Sequence, residues 1–414
     1  MEISDEQVLR TLMRHRRLTR AELATEIGIS KPTAGESVRR LTERGLVADT
    51  GERTAGGRGK GRVGSYYALS PGAGAALAVT IAPEGVVAEC VDVYGDTVGR
   101  AFRPAHPTEP SHAAGPAHPI EPSYAGRPTN PTEPSRASGP AQPAKLAAAV
   151  ASAVEEATRL SGARPIRLAV VGAADPVDRA TGRLVHLPDA PFLVGELDPV
   201  AILAPYVSGP VTVDNDVNWA ALAERDHRAQ PSEGSRPNGH EQPSEHARSS
   251  DERDRAGDFA YLYLGEGLGC AIVSDGEVRR GHSGLAGELA HLLTVGPGGR
   301  AVRFIEVFGR LGLRRDSSTA IDVDRLLASD AAARAMVARA VGGVVAAVTA
   351  LADPREIVLG GSWGPALADD IRAAGEQMPR HVPIRAAAVS AEPVLAGVRA
   401  EAVSRLRASL IATG

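Results

Sequence analysis

The residues best placed for chemistry by type and spacing stand near the start of the chain. Ser30, Lys31, Pro32 and Thr33 are consecutive, and Ser37 and Arg40 follow on a compatible helical face. Hydroxyls and main-chain N–H groups at the opening of a helix bind phosphate oxygens. Lys31 and Arg40 are of the types that reach guanine edges in a major groove. A second basic set, Arg58, Lys60 and Arg62, sits on glycine spacers in Gly56-Gly-Arg-Gly-Lys-Gly-Arg62. A chain so built can follow a minor groove or a phosphate backbone. The chemistry implied is recognition of double-stranded DNA.

Those side chains need a small frame, and residues 4–47 read as three short helices. Ser4 or Asp5 is placed to cap the first, whose apolar face is Val8, Leu9 and Leu12. Thr19 and Glu22 have capping-box spacing at the head of the second, and Gly28 ends it. Ser30 caps the third, which tolerates Pro32 in its first turn and runs through Val38 and Leu41 to Gly45. The glycine-rich basic stretch and a strand at Ser65–Leu69 then complete a winged helix-turn-helix within residues 1–70. A three-helix protein-interaction module with a solvated charged loop would share the helices. The order Leu18-Thr-x-x-Glu-Leu-Ala-x-x-x-Gly-Ile-Ser-x-x-Thr33, then Arg44-Gly-Leu-Val47 and a basic wing, favours the DNA reader.

The 414 residues exceed one ordinary core, so two or three folding units are expected. Residues 1–67 hold 13 Lys/Arg against 9 Asp/Glu, while the remainder holds 33 against 41. A basic head on an acidic body suits a polyanion-binding module joined to a part that avoids polyanions. Two cysteines, Cys90 and Cys270, cannot make a disulfide framework. No signal segment opens the chain and no apolar run of about 18 residues occurs, so a cytoplasmic protein without a membrane partner is expected.

From Ala75 the pattern is strand-like at 76–81, 85–93 and 97–102. A helix at 144–160 leads to a strand at 166–172, and a strand at 211–213 leads to a helix at 217–224. A hairpin at 259–274, helices at about 324–352, a strand at 356–359 and a C-terminal helix from about Pro393 follow. Two proline-rich insertions interrupt this order, at 104–143 and 228–257, and both carry motifs repeating every 12 residues. Neither offers apolar positions for stacking, so disorder is expected and their His240 and His246 are not read as metal ligands. The fold class is α/β, with residues 75–412 forming two lobes.

Four stretches of this body resemble the ROK family of repressors and sugar kinases, built on the two-lobed actin-like ATPase (ribonuclease H-like) fold. They are Gly172-Ala-Ala-Asp-Pro-Val-Asp-Arg-Ala-Thr-Gly182; Asp214-Asn-Asp-Val-Asn-Trp-Ala-Ala-Leu-Ala-Glu224; Gly265-Glu-Gly-Leu-Gly269 with Arg280-Gly-His-Ser-Gly-Leu-Ala-Gly-Glu-Leu-Ala-His291; and Ile357-Val-Leu-Gly-Gly-Ser362. The second is the most specific. The resemblance covers residues 76–412 apart from the insertions. It implies that Asp216 matches a general base on a sugar hydroxyl, and that Asn215, Glu288 and Glu306 match groups holding sugar hydroxyls, with His291 beside them. Asn215 and Asp216 also stand where helix caps are favoured, so a purely structural role stays open for them.

Two departures from the family pattern bear on function. Its phosphate loop, Asp-x-Gly-Gly-Thr-Lys, falls where this chain has Thr80-Ile-Ala-Pro-Glu-Gly85. The metal-binding Asp and the Gly-Gly turn are replaced, and Glu84 puts negative charge where phosphates approach, so catalysis is not expected. The family's three zinc cysteines correspond to Gly298-Gly-Arg-Ala-Val-Arg-Phe-Ile-Glu306, which holds none. One histidine cannot supply four ligands, so no zinc and no cofactor are expected, and the segment carrying Glu306 is expected to be loosened. The functions implied are, first, a DNA-binding regulator, in type a repressor, answering to a carbohydrate or sugar phosphate. The alternatives are a regulator whose body is a ligand-independent dimerisation scaffold or senses a non-sugar, and an active sugar kinase. A homodimer or homotetramer on a palindromic operator is the assembly the resemblance implies.

Overall fold

A computed structural model describes residues 2–54, 64–105, 143–185, 187, 197–229, 257–316, 318–376 and 380–412. Arg58, Lys60 and Arg62, and nearly all of both proline-rich insertions, lie outside the described residues.

The head is built from α1 (Ile3–His15), β1 (Arg17–Thr19), α2 (Arg20–Ile27), α3 (Lys31–Glu43), β2 (Val47–Arg53) and β3 (Ser65–Leu69). Val8, Leu9, Leu12, Leu23, Val38 and Leu41 are fully buried between the helices. Each such side chain contributes about 1.5–3 kcal/mol relative to exposure. Strand order β1-β3-β2 makes the antiparallel wing. The capping box at Thr19 and Glu22 forms, and Gly28 ends α2 at φ +78°. Ser30 accepts the Thr33 N–H at 3.2 Å and starts α3. The start of α1 differs from expectation. Glu2 takes the cap position without a side-chain capping bond, and Ser4 and Asp5 are the second and third residues of the helix. Their side chains serve α3 instead: the Ser37 hydroxyl donates to Ser4 Oγ at 2.9 Å, and Arg40 donates to Asp5 Oδ1 at 2.7 Å.

The first lobe is a five-stranded sheet of β4 (Ala75–Ala82), β5 (Gly85–Asp92), β6 (Thr97–Pro104), β7 (Ile166–Ala173) and β8 (Val211–Asn215), in the order β6-β5-β4-β7-β8. The first three strands form an antiparallel meander, and β7 and β8 run parallel to β4. Helix α4 (Pro143–Leu160) covers one face through Leu146, Val150 and Val154. Helix α5 (Pro199–Leu203) joins that face. On the other face pack α6 (Asp216–Ala229), entered directly from β8, and the C-terminal helix.

The second lobe has strands β9 (Phe259–Leu264), β10 (Leu268–Ser274), β11 (Glu277–Val278), β14 (Glu356–Gly360) and β15 (Ile384–Ala386), in the order β11-β10-β9-β14-β15. Between them come the hairpin β12 (Leu293–Val295) and β13 (Ala301–Arg303), then α7 (Phe304–Arg310), α8 (Val323–Leu327) and α9 (Ala331–Ala352). Helices α10 (Ala368–Gly375) and α11 (Pro393–Ala412) follow. The helices expected at about 324–352 are α8 and α9, divided where Asp330 accepts the Ala333 N–H at 2.8 Å and starts α9 afresh. Among the described residues α9 is the one helix long and apolar enough to cross a membrane, and its Val337, Val341, Val344 and Val345 are buried in the second lobe.

Candidate DNA-binding head and ligand cleft

In the head, Ser30, Lys31, Pro32 and Thr33 stand exposed at the opening of α3. Pro32 has no N–H, and those of Thr33 and Ala34 bond Ser30, so this opening presents its positive helix-end potential with the Lys31 charge beside it. Ser37 and Arg40 are placed differently. Ser37 is fully buried against α1, and Arg40 is held by the buried Asp5 and by Glu2 at 2.6 Å. They fasten the recognition helix to α1, and this corrects their expected place on the DNA-facing surface. The spacing that put them on one face with Lys31 could not reveal that the acids of α1 claim them first. Two residues missed by spacing flank the wing: the Arg17 guanidinium lies 5.4 Å from the Tyr66 ring centroid, and that of Arg20 lies 4.8 Å from Tyr67.

In the body, the β8–α6 junction brings Asn215 and Asp216 to the mouth of a cleft between the lobes. Its walls include Asp175, Asn215, Asp216, Glu288 and His291, over about 800 Å³ of empty space open to solvent. The junction is tightly held. Buried Asp214 accepts from its neighbour's N–H at 2.8 Å, from Asn218 Nδ2 at 2.7 Å and from Arg280 Nε at 2.5 Å. Asn215 Oδ1 and Asp216 Oδ1 both accept the Val217 N–H, at 3.0 and 2.7 Å, so Asn215 caps α6 and Asp216 stands bonded in its first turn. Capping and lining coexist, because a carboxylate or carboxamide at a helix start also faces what lies before it.

Charge is crowded in this cleft. Burial pushes the Asp216 carboxyl up to about 7, with Glu288 and Asp175 adding repulsion. Burial likewise pushes Glu288 up to about 7, with Asp175 adding to it. Asp175, itself buried, is a wall residue that motif reading passed over. The signal that could have found it is an acid just past the end of the buried strand β7. No Lys or Arg lines the cleft among the described residues.

Glu306 is not brought to the cleft. Its carboxylate accepts from Arg303 at 2.6 Å, with Arg310 at 3.9 Å, and these local pairs hold it below the usual carboxylate range. This corrects its expected place among the ligand-facing acids. The neighbouring segment is also better ordered than expected. β12 and β13 form a paired hairpin, and buried Thr294 donates to Ala340 O of α9 at 2.6 Å. These residues carry no thiolate and do not fit a zinc site. Hydrogen bonding and packing hold the hairpin instead.

A second pocket shares Asp216 with the cleft and adjoins its inner end there; its other walls include Thr80, Ile81, Ala82, Glu84, Gly172, Glu392 and Val394. Here β4 turns directly into β5, with Ala82 paired to Gly85 across the two-residue turn Pro83-Glu84. Gly85 sits at φ +155°, where a Cβ would stand 2.3 Å from Arg103 O. A turn this tight presents no cradle of N–H groups to a phosphate, and its side chain is an acid.

Comparison with known proteins agrees with both halves. A winged helix-turn-helix DNA-binding family model matches residues 1–48, and the ROK family model matches residues 244–302. The bifunctional enzyme NanE/NanK of Brucella melitensis and that of Brucella suis are each 33% identical over 121 residues, which cover 27% of this chain. The matched part spans 23% of the length of those relatives. The solved structure of a ROK family transcriptional regulator, a homologue of the E. coli MLC protein, superposes with a TM-score of 0.56 at 16% identity. That match covers 100% of this chain and 99% of the other, and shows a shared fold from head to C-terminal helix. The chain thus carries a head that matches a winged helix-turn-helix DNA-binding family and a body with a segment that matches the ROK family, on the fold of a ROK-family regulator.

Proposed function

We propose that this protein is a cytoplasmic, DNA-binding transcriptional regulator, a repressor in type, whose two-lobed body senses an unphosphorylated carbohydrate and has lost phosphoryl transfer. The observation that carries the regulatory reading is the exposed, Ser30-capped opening of α3 with Lys31 on it, set on a helix-turn-helix in which Ser37 and Arg40 are used internally. Such a helix end fits a major groove, with phosphates near its positive end and Lys31 toward bases. A two-fold pair of heads would read a palindromic site.

Three features support the sensor reading and its ligand class. The cleft holds a carboxamide and several carboxylates, groups that grip vicinal hydroxyls in pairs. It lacks a described cationic side chain for a phosphate or carboxylate to pair with. Its inner end offers an acidic tight turn in place of a phosphate loop. Thermal-shift measurement on the full chain, with uncharged hexoses, acetamido sugars and their phosphates, tests this. Stabilisation by an uncharged sugar and none by its phosphate is expected. A blank across the panel would favour a body that serves as a dimerisation scaffold, and ATP-dependent phosphorylation of any hexose would overturn the loss of catalysis.

A further inference from the structure

We propose that the turn between β5 and β6 is the platform that orients the winged-helix head, and that α11 ties this platform to the inner end of the cleft. The proposal rests on reading that cleft as a ligand site. At the head, Tyr94 is the fastening. Its hydroxyl accepts the Leu69 N–H at 2.8 Å and donates to Arg16 O at 3.1 Å, so one group holds the end of the wing and the end of α1. The Arg16 guanidinium spans both oxygens of Asp96, at 2.5 and 2.8 Å, and lies 5.2 Å from the Tyr94 ring centroid. Arg16 itself is held at φ +65°, a conformation a non-glycine residue keeps only where its surroundings impose it.

The other end of the connection begins in the cleft wall. Glu392, Pro393 and Val394, at the start of α11, line its inner end together with Gly172 and Asp216. Glu392 is joined at 2.7 Å to Arg100, which also donates to the buried Glu89 at 2.8 Å. Arg399 of α11 donates to the same Glu89 at 2.8 Å. Farther along the helix, Arg407 Nε donates to Val93 O at 2.8 Å, on the residue preceding Tyr94. Between these points α11 lies on α6 without slack: a Cβ at Gly397 would stand 2.0 Å from Trp219 O. A helix packed so closely moves as a unit, and shifts at one end appear at the other. Displacing Val394 therefore moves Val93, and with it the turn that holds Arg16 and Leu69.

Gly172 offers a test that needs no ligand. A Cβ there would stand 3.0 Å from both Val394 Cγ1 and Val398 Cγ2, and 2.9 Å from Trp219 Cδ1. Gly172→Ala in the full chain is thus a wedge beneath the start of α11. The readouts are hydrogen exchange at residues 16–19 and 93–97, and affinity for a genomic site that the wild type protects. Faster exchange at both segments is expected, with a change in affinity of about fivefold or more. Adding Arg407→Ala should return the affinity change to within about twofold of Arg407→Ala alone. Val394→Ala, which loosens the same contact, carries the test if the wedge does not fold. The proposal is overturned if both cleft variants change exchange in α11 yet leave head exchange and DNA affinity unaltered. A blank sugar screen beside a positive wedge result would retire the sensor reading and leave the coupling in place.

Discussion

Arg280 of the second lobe donates through Nε to the buried carboxylate of Asp214 at 2.5 Å, and so pins the strand end that presents Asn215 and Asp216. Removing one member of a largely buried pair leaves the other uncompensated, which costs more than the pair's net worth. Arg280→Met should lower stability by about 3 kcal/mol in denaturant unfolding. Combining it with Asp214→Asn should recover part of the loss, because no buried charge is then left unpaired. A loss near zero for Arg280→Met would show that the junction is held by Asn218 and the main chain alone.

The head separates two kinds of basic residue. Arg40→Ala strips the partner from Asp5, which is 4% exposed, and should destabilise the head by about 2 kcal/mol. Lys31→Ala should leave the melting temperature within a degree or so, weaken operator binding, and reduce the slope of log affinity against log salt by about one. Melting curves and salt titrations on the two variants check this. Equal stability loss in both would contradict the division.

The crowded carboxyls predict an inverted pH dependence. Asp216 and Glu288 have pKa values near 7 in the folded protein, above the ordinary carboxylate range they have when unfolded. Between about pH 4 and 7 the folded state therefore holds more protons than the unfolded one, and these two groups make stability fall as pH rises. Their contribution is fully present below about pH 4 and is lost as pH passes 7. Asp216→Asn or Glu288→Gln should thus melt higher than wild type at pH 8, by an amount equivalent to about 1–3 kcal/mol, with the advantage shrinking toward pH 4. An advantage that does not vary with pH would show that the two acids are not charged against their surroundings.

The β12–β13 hairpin predicts indifference to metal removal. Strand pairing, Thr294 and the facing Gly343 hold it on α9, and a Cβ at Gly343 would stand 2.3 Å from Thr294 Oγ1. A chelator should leave the melting temperature unchanged, whereas Gly343→Ala should cost about 1–3 kcal/mol through overpacking. A fall in melting temperature with chelator alone would point to a structural metal.

What could be read from the chain beforehand divides along a physical line. Features fixed by neighbours in sequence were legible: the Thr19–Glu22 box, Ser30 with Pro32 at the start of α3, and the β8–α6 junction with its Asn-Asp pair. Features decided by distant partners were not. Ser4 and Asp5 have the chemistry of caps, yet Ser37 and Arg40 claim them from 33 and 35 residues away. Composition places Arg228 in the second insertion, but α6 continues to Ala229, and that guanidinium pairs with Glu356 at 2.7 Å and lies over Phe259. Glu306 is the converse case, drawn off by Arg303 three residues earlier on a helix start that motif matching ignores. Asp175 lies within the Gly172–Gly182 stretch, yet only the folded cleft sets it near Glu288.

The central claim is that the exposed opening of α3 reads DNA. Its most direct test is selection of bound sequences from a random duplex pool by the full chain, repeated with Lys31→Ala. Enrichment of an inverted repeat with half-sites about one helical turn apart is expected, with loss of that enrichment in the variant. A pool that stays unenriched with the wild type, or an identical motif and affinity with Lys31→Ala, would contradict it.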